Sequence, residues 1–206
     1  MAELTVRELG LSDYADTWRE MRCVTEARDE VSRDELWLLE HPSVYTLGQA
    51  GRSEHLLDAG AIPIVNSDRG GQVTYHGPGQ LMIYPLIDLK RNKLGVRDLV
   101  TALEQCIVDM AAEFGIEAAA RPDAPGVYVE GRKLASVGLR VRRGASYHGM
   151  ALNVDVDLEP FSRINPCGYS DLELTDLRRL GIDNSMQDVT ERVLQHLLTH
   201  LGMTAA

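Results

Sequence analysis

Between Arg69 and Gln80 the chain reads Arg-Gly-Gly-Gln-Val-Thr-Tyr-His-Gly-Pro-Gly-Gln, so four glycines and a proline share twelve positions with one arginine and one histidine. Glycine gives up more conformational freedom on folding than any other residue. Such a density belongs where the backbone takes positive φ or where something approaches it closely. Val73, Thr74 and Tyr75, β-branched and aromatic, read as a short strand between the glycine pairs. The pattern is therefore turn, strand, turn, strand, with His76 at the exit of the first strand. Two readings stay open: a β-hairpin whose turns need glycine, or loops that hold a ligand against bare backbone.

The chain has 206 residues, which suits one domain with a substantial core. Hydrophobic content of 44% with 25% charged residues is an ordinary globular mixture. The start Met-Ala-Glu-Leu-Thr-Val-Arg lacks the pattern of a signal peptide, and no apolar run approaches the roughly 18 residues that span a bilayer. A cytoplasmic protein with no membrane association is expected. The formal net charge of −10 argues against nucleic acid as a partner, because phosphate attracts basic surfaces. Cys23, Cys106 and Cys167 are odd in number and widely spaced, which gives neither a disulfide framework nor a zinc site.

Leu4, Val6 and Leu9 predict an opening strand, and Ser12 a helix cap before Tyr14, Trp18, Met21 and Thr25 at helical spacing. Leu36 to Leu39 and Val44 to Leu47 read as strands broken at His41-Pro42, with His41 structural. Ile62 to Val65 is another strand, and Leu81 to Leu89 a strand buried on both faces. Val96, Leu99, Leu103, Cys106, Ile107, Met110 and Phe114 make an amphipathic helix ending at Gly115, with Cys106 in its buried stripe. Gly126 to Val129 and Arg132 to Val141 form a hairpin about Glu130-Gly131, and Tyr147 to Val156 adds a strand. A last helix opens at Ser185 with Asp188 three residues on, and carries Val189, Val193, Leu197 and Leu201 before Gly202. His196 and His200 stand four apart on it with no third ligand at suitable spacing, and read as ordinary residues. Antiparallel strands with long helices at intervals predict an α+β domain.

Two residues carry chemistry by their setting. Period-2 alternation puts Lys133 on one strand face with Ala135, Val137, Leu139 and Val141, where it is either desolvated and useful for proton transfer or snorkels to water. Cys167, in Asn165-Pro166-Cys167-Gly168-Tyr169, sits in a turn outside any amphipathic pattern, where a nearby cation would hold it as a nucleophilic thiolate. Lys133 is a candidate for that cation. Arg140 and Arg142 alternate onto the face opposite Lys133, with Arg143 at the turn, as a basic patch at the mouth of a site.

Taken together, Arg69 to Gln80, Gly-Arg-Lys-Leu-Ala-Ser-Val-Gly at 131–138, Tyr-His-Gly-Met-Ala-Leu-Asn-Val at 147–154 and Asn-Pro-Cys-Gly at 165–168 resemble the bacterial octanoyltransferases of lipoate biosynthesis. The match runs in order from about Leu36 to Asp176 within a single domain over 1–206. The resemblance implies the biotin/lipoate-ligase-like fold, a mixed and mostly antiparallel sheet with packed helices. It implies Cys167 as nucleophile, Lys133 as its partner, and no cofactor or metal. It implies an acyl-binding site made by Arg69, Gly70, Gly71, Gln72, Val73, Thr74, Tyr75 and His76, by Ser136, Val137 and Gly138, and by Gly149, Met150 and Ala151. His76 and His148 each precede a glycine and are either auxiliary to the chemistry or structural. The implied donor is acyl carrier protein carrying an octanoyl or lipoyl group. The implied acceptors are lipoyl domains of 2-oxoacid dehydrogenases and the glycine cleavage H protein. An ATP-dependent lipoate or biotin ligase on the same fold would need the lysine but not the cysteine, and a non-catalytic acyl-binding module would need neither.

Overall fold

The computed structural model describes residues 2–165 and 172–206. Within them the strands are, in chain order, β1 (Ala2–Leu11), β2 (Asp34–Glu40), β3 (Val44–Leu47), β4 (Ile64–Asn66), β5 (Val73–His76), β6 (Gln80–Leu86), β7 (Ala118–Ala120), β8 (Gly126–Val129), β9 (Arg132–Arg142), β10 (Ala145–Asn153) and β11 (Met203–Ala205). The helices are α1 (Tyr14–Ala27), α2 (Val96–Glu113) and α3 (Met186–Leu201). Eight strands form one sheet in the order β11-β1-β2-β6-β10-β9-β8-β7, and β4-β3-β5 form a second. In the large sheet β1 runs parallel to β2 and to β11, and the other pairs are antiparallel.

Both faces of the large sheet are covered, which is why its central strands read as unbroken apolar runs. Leu36 and Leu38 of β2, with Leu81 and Ile83 of β6, point to one face and pack under Leu99, Leu103 and Ile107 of α2 and Val189, Val193 and Leu197 of α3. Their neighbours Trp37, Leu39, Met82 and Tyr84 point the other way and meet Met21 of α1, with Tyr147 and Ala151 of β10. All seven residues of β6 are buried. His196 and His200, on α3, reach back to Glu113 and Asp109 of α2 at 2.7 Å each, so they tie the two helices together.

α3 begins and ends as its sequence predicts, with a reciprocal cap between Ser185 and Asp188 and Gly202 in the left-handed region at φ 62°. At α1 the cap is Asp13 instead of Ser12. The Asp13 carboxylate accepts from Asp16 N at 3.0 Å, while the Ser12 hydroxyl donates back to Leu9 O at 2.9 Å. A carboxylate next to the first turn also meets the positive end of the helix dipole, which a hydroxyl does not. α2 is capped at Phe114, with Gly115 following at φ 73°.

The hairpin reading of the glycine stretch is overturned by the sheet topology. β5 pairs with β3 in the small sheet, whereas β6 pairs with β2 and β10 in the large one. The turn at Gly77 to Gly79 therefore carries the chain from one sheet to the other. Gly79 has φ 84°, and a Cβ there would collide with Asp155 O. Its own carbonyl accepts from both Val154 N and Asp155 N, at 3.0 and 2.9 Å. Close approach of two backbones, with positive φ, is what requires the glycine.

Candidate active site

A cavity of about 510 Å³ opens where the glycine stretch lies against β6, β9 and β10. Arg69, Gly70, Gly71, Gln72, Val73, Thr74 and His76 line it, together with Lys133, Ser136, Val137, Gly138, His148, Gly149, Met150 and Ala151. Tyr75 is the exception within the expected set. Thr74 and His76 alternate toward the cavity, and the Tyr75 ring turns into the small-sheet core against Tyr45 and Phe161, its hydroxyl paired with Ser43 Oγ at 2.9 Å. Met82, Tyr84, Val100, Pro125, Leu172 and Leu174 also line the cavity. They carry no chemical signature in sequence, because an apolar wall and an apolar core are written with the same residues.

Glycine lets the loop lie flat on the sheet. Gly70 N donates to Leu139 O at 3.0 Å, and a Cβ on Gly138 would stand 3.0 Å from Gly70 O. On its other side the loop is held by Gln49 N and Ala50 N, which donate to Arg69 O and Gly71 O at 2.9 and 3.1 Å. The buried Arg69 guanidinium donates to Thr46 O, Gln72 O and Gly70 O at 2.6, 2.6 and 2.8 Å, and to Thr46 Oγ1 at 3.0 Å. Arg69 thus shapes the loop it belongs to.

Lys133 is 3% exposed, but it does not share a face with Ala135. Val127 pairs with Ala135 and Tyr128 with Lys133, so Leu134 is an extra residue between them. This bulge reverses the alternation and sends Lys133 to the Tyr128 side, away from the core face that Ala135 and Val127 share. Its Nζ lies 3.4 Å from Pro125 O and 5.2 Å above the Tyr128 ring. Its backbone accepts from Thr175 N at 3.0 Å and donates to Glu173 O at 2.8 Å, which fixes the segment beginning at Leu172 alongside it. By the same bulge Arg140 and Arg142 lie on the Lys133 side of the strand, not opposite. Both are engaged, Arg140 with Gln49 Oε1 at 2.6 Å and Arg142 with Glu26 at 3.1 Å.

Cys167 and the turn expected around it lie outside the described residues. Cys106 is in the core as its helix position predicts; its Sγ donates to Leu103 O at 3.0 Å, and burial pushes its thiol pKa well up. Cys23 is exposed.

Three buried histidines, His41, His76 and His148, cluster about Tyr14 and Tyr84, and two of them, His76 and His148, line the cavity. The Tyr14 ring stacks on His76 at 5.7 Å, and His41 meets Tyr14 edge-on at 5.1 Å. His41 Nδ1 donates to Ser12 O at 2.6 Å and Nε2 accepts from the Tyr84 hydroxyl at 2.9 Å. His76 Nδ1 is 2.7 Å from Gln80 Oε1, and Nε2 is 3.3 Å from Thr46 Oγ1. Gln80 then donates to Asn153, and Asn153 to Thr175 O. A buried polar chain therefore runs from the small sheet to the segment beside Lys133, and His76 is a link in it. His148 is different. Its Nε2 donates to Asp68 at 3.0 Å, where the Tyr147 hydroxyl and Trp18 Nε1 also donate. Burial alone would raise Asp68, but the hydrogen bonds from His148 and Tyr147 outweigh it and hold the carboxyl well below its usual range. Asp68 stands one residue before the glycine stretch, and no periodicity marks it.

Burial lowers all three imidazoles, His41 to about 4, with Asp68 opposing the effect at His148. Unfolded chains bind these protons near pH 6.5, the folded protein only at lower pH, so between those values the unfolded state holds more protons. Stability is accordingly expected to fall as pH drops from 6.5 toward 4, with His41 alone accounting for up to roughly 3 kcal/mol. Melting temperatures over this range check it: the curve for His41→Gln is shallower than for wild type, and parallel curves would assign the acid sensitivity elsewhere.

A model of the lipoyl protein ligase A/B catalytic domain matches residues 13–198. An octanoyltransferase of Shewanella baltica is 55% identical over 98% of both chains, and one of Alkalilimnicola ehrlichii is 59% identical over 96% of this chain and 92% of its own. The chain belongs to the octanoyltransferase family. The octanoyltransferase fold is shared with lipoate-protein ligase A bound with ATP, at a TM-score of 0.77 and 14% identity over 100% of this chain and 87% of that one. It is shared also with biotin protein ligase from Aquifex aeolicus in complex with biotin and ATP, at 0.60 and 15% identity over 96% and 70%. At such identities the likeness to the ligases is one of fold, whereas octanoyltransferases match in sequence along nearly the whole chain.

Proposed function

We propose that this octanoyltransferase moves its acyl group in two steps through Cys167. In the first, the Cys167 thiolate adds to the thioester carbonyl of octanoyl acyl carrier protein, the carbon–sulfur bond to the carrier breaks, and the carrier thiol leaves with the proton taken from Cys167. In the second, a lysine amine of a lipoyl-accepting domain attacks acyl-Cys167. The amide forms, the cysteine returns, and the proton lost by the amine passes through Lys133. Thiol for thioester is an exchange of like for like, and amide from thioester is downhill, so neither step calls for ATP. Acceptors are the lipoyl domains of 2-oxoacid dehydrogenases and the glycine cleavage H protein, in the cytoplasm. Among the described residues no helix is long and apolar enough to cross a membrane.

The observation that supports this best is the buried Lys133 side chain on the wall of a cavity lined mostly by glycine backbone and apolar side chains, with a few polar groups such as Thr74, Ser136, His76 and His148 among them. Such a cavity suits a hydrocarbon chain, and a lysine held there suits proton transfer at its head. Donor choice tests it. The protein is expected to modify a lipoyl domain when given octanoyl acyl carrier protein without ATP, read as the mass gain of the domain. Modification only with free octanoate and ATP would make it a ligase.

A further inference from the structure

His148 sits in the middle of β10 with φ 55°, a left-handed backbone that histidine adopts at a cost in strain. Plain alternation would send its ring toward the helix-covered face with Met150 and Leu152. The ring instead stacks on Tyr147 at 5.0 Å and meets Tyr84 edge-on at 6.2 Å, on the cavity side. Asp68 fixes its tautomer: a carboxylate only accepts, so Nε2 carries the hydrogen and Nδ1 is left as an acceptor. That Nδ1 is buried without a hydrogen-bond partner among the described residues, on a side chain 1% exposed. His41 and His76 in the same cluster have both nitrogens engaged. An acceptor shut away from water is costly until a donor reaches it.

Its position says which donor. His148 pairs with Leu139, six residues along β9 from Lys133, so the cavity floor between them runs for at most about 20 Å. With the acyl carbonyl at Lys133, the chain's tail points to His148. We propose that His148 Nδ1 recognises a hydrogen-bond donor at or near the far end of the acyl chain, so that chains ending in a hydroxyl or thiol are substrates beside plain alkyl chains. Asp68 is the positioning residue that sets this polarity. The inference rests on the reading of the cavity as the acyl site.

Calorimetric titration of the protein with octanoate, 8-hydroxyoctanoate and 7-oxooctanoate tests it without any chemistry at Cys167. The hydroxy acid is expected to bind at least as tightly as octanoate, and the oxo acid, which only accepts, about tenfold more weakly. His148→Leu lowers the hydroxy-to-plain affinity ratio by about tenfold, and Asp68→Asn, which lets Nδ1 carry the hydrogen, narrows the gap between hydroxy and oxo acids. The wild-type comparison stands even where a variant fails to fold. Octanoate bound about tenfold more tightly than 8-hydroxyoctanoate, or an affinity ratio unmoved in His148→Leu, would overturn the inference alone. No binding of any of the three acids would overturn it together with the acyl-cavity reading.

Discussion

Cys167→Ala lowers transfer by at least about a thousandfold, while Cys23→Ala and Cys106→Ala keep the chemistry. The contrast follows from where the described thiols lie. Cys106 is sealed in the core under α2 with its thiol pKa pushed up, so a thiolate there is disfavoured and no substrate reaches it. Cys23 is on the outward side of α1, away from the cavity lining. Cys106→Ala costs some stability through the small void it leaves, which melting temperature separates from activity. Steady-state transfer from octanoyl acyl carrier protein decides the matter, and turnover by Cys167→Ala within tenfold of wild type would rule out a covalent route through this residue.

Lys133→Met is expected to cost at least about a hundredfold in turnover, the usual scale for losing a positioned acid–base group. It is also expected to move the alkylation of Cys167 by iodoacetamide to higher pH, because a thiolate loses its neighbouring cation. Methionine keeps the length and burial of the side chain, so the readout is of charge more than of packing. The side chain it replaces is nearly inaccessible and lies over the Tyr128 ring with its amine near Pro125 O. Gly126 packs beside it, and a Cβ there would touch Lys133 Cε at 3.4 Å but collide with Ala135 O. An alkylation profile identical to wild type would separate the two residues.

How far the sequence predicts this architecture depends on the length of the repeat each element writes. α2 and α3 are long enough for the 3.6-residue period to name their buried residues, and the Ser185–Asp188 cap and Gly202 mark where α3 begins and ends. β6, with both faces covered, is a plain apolar run. β7 and β11 have three residues each and no period to show; β11 exists because α3 ends where its chain falls beside the edge of β1. Local motifs do not show the geometry where a single residue changes it. The bulge at Leu134 leaves no mark on the apolar pattern, yet it moves Lys133 to the other face and with it the relation to Arg140 and Arg142. The glycines around Tyr75 signalled tight backbone correctly, but not that the strands on either side of Gly77 to Gly79 belong to different sheets. In the site, Lys133 and the glycine loops stand out because each is unusual for its element. Asp68, Tyr14 and Tyr84 do not, since only the fold brings them beside the histidines.

On the proposed route the octanoyl group rests on Cys167 between donor and acceptor. Intact mass of the protein after mixing with octanoyl acyl carrier protein, without ATP, followed by peptide mapping and a chase with a lipoyl domain, tests it most directly. The expected result is a gain of one octanoyl group on the peptide that holds Cys167, lost when the lipoyl domain is added and its lysine becomes acylated. Acylation of the lipoyl domain with no such adduct at any time, or an adduct on another residue that the chase discharges, would contradict it.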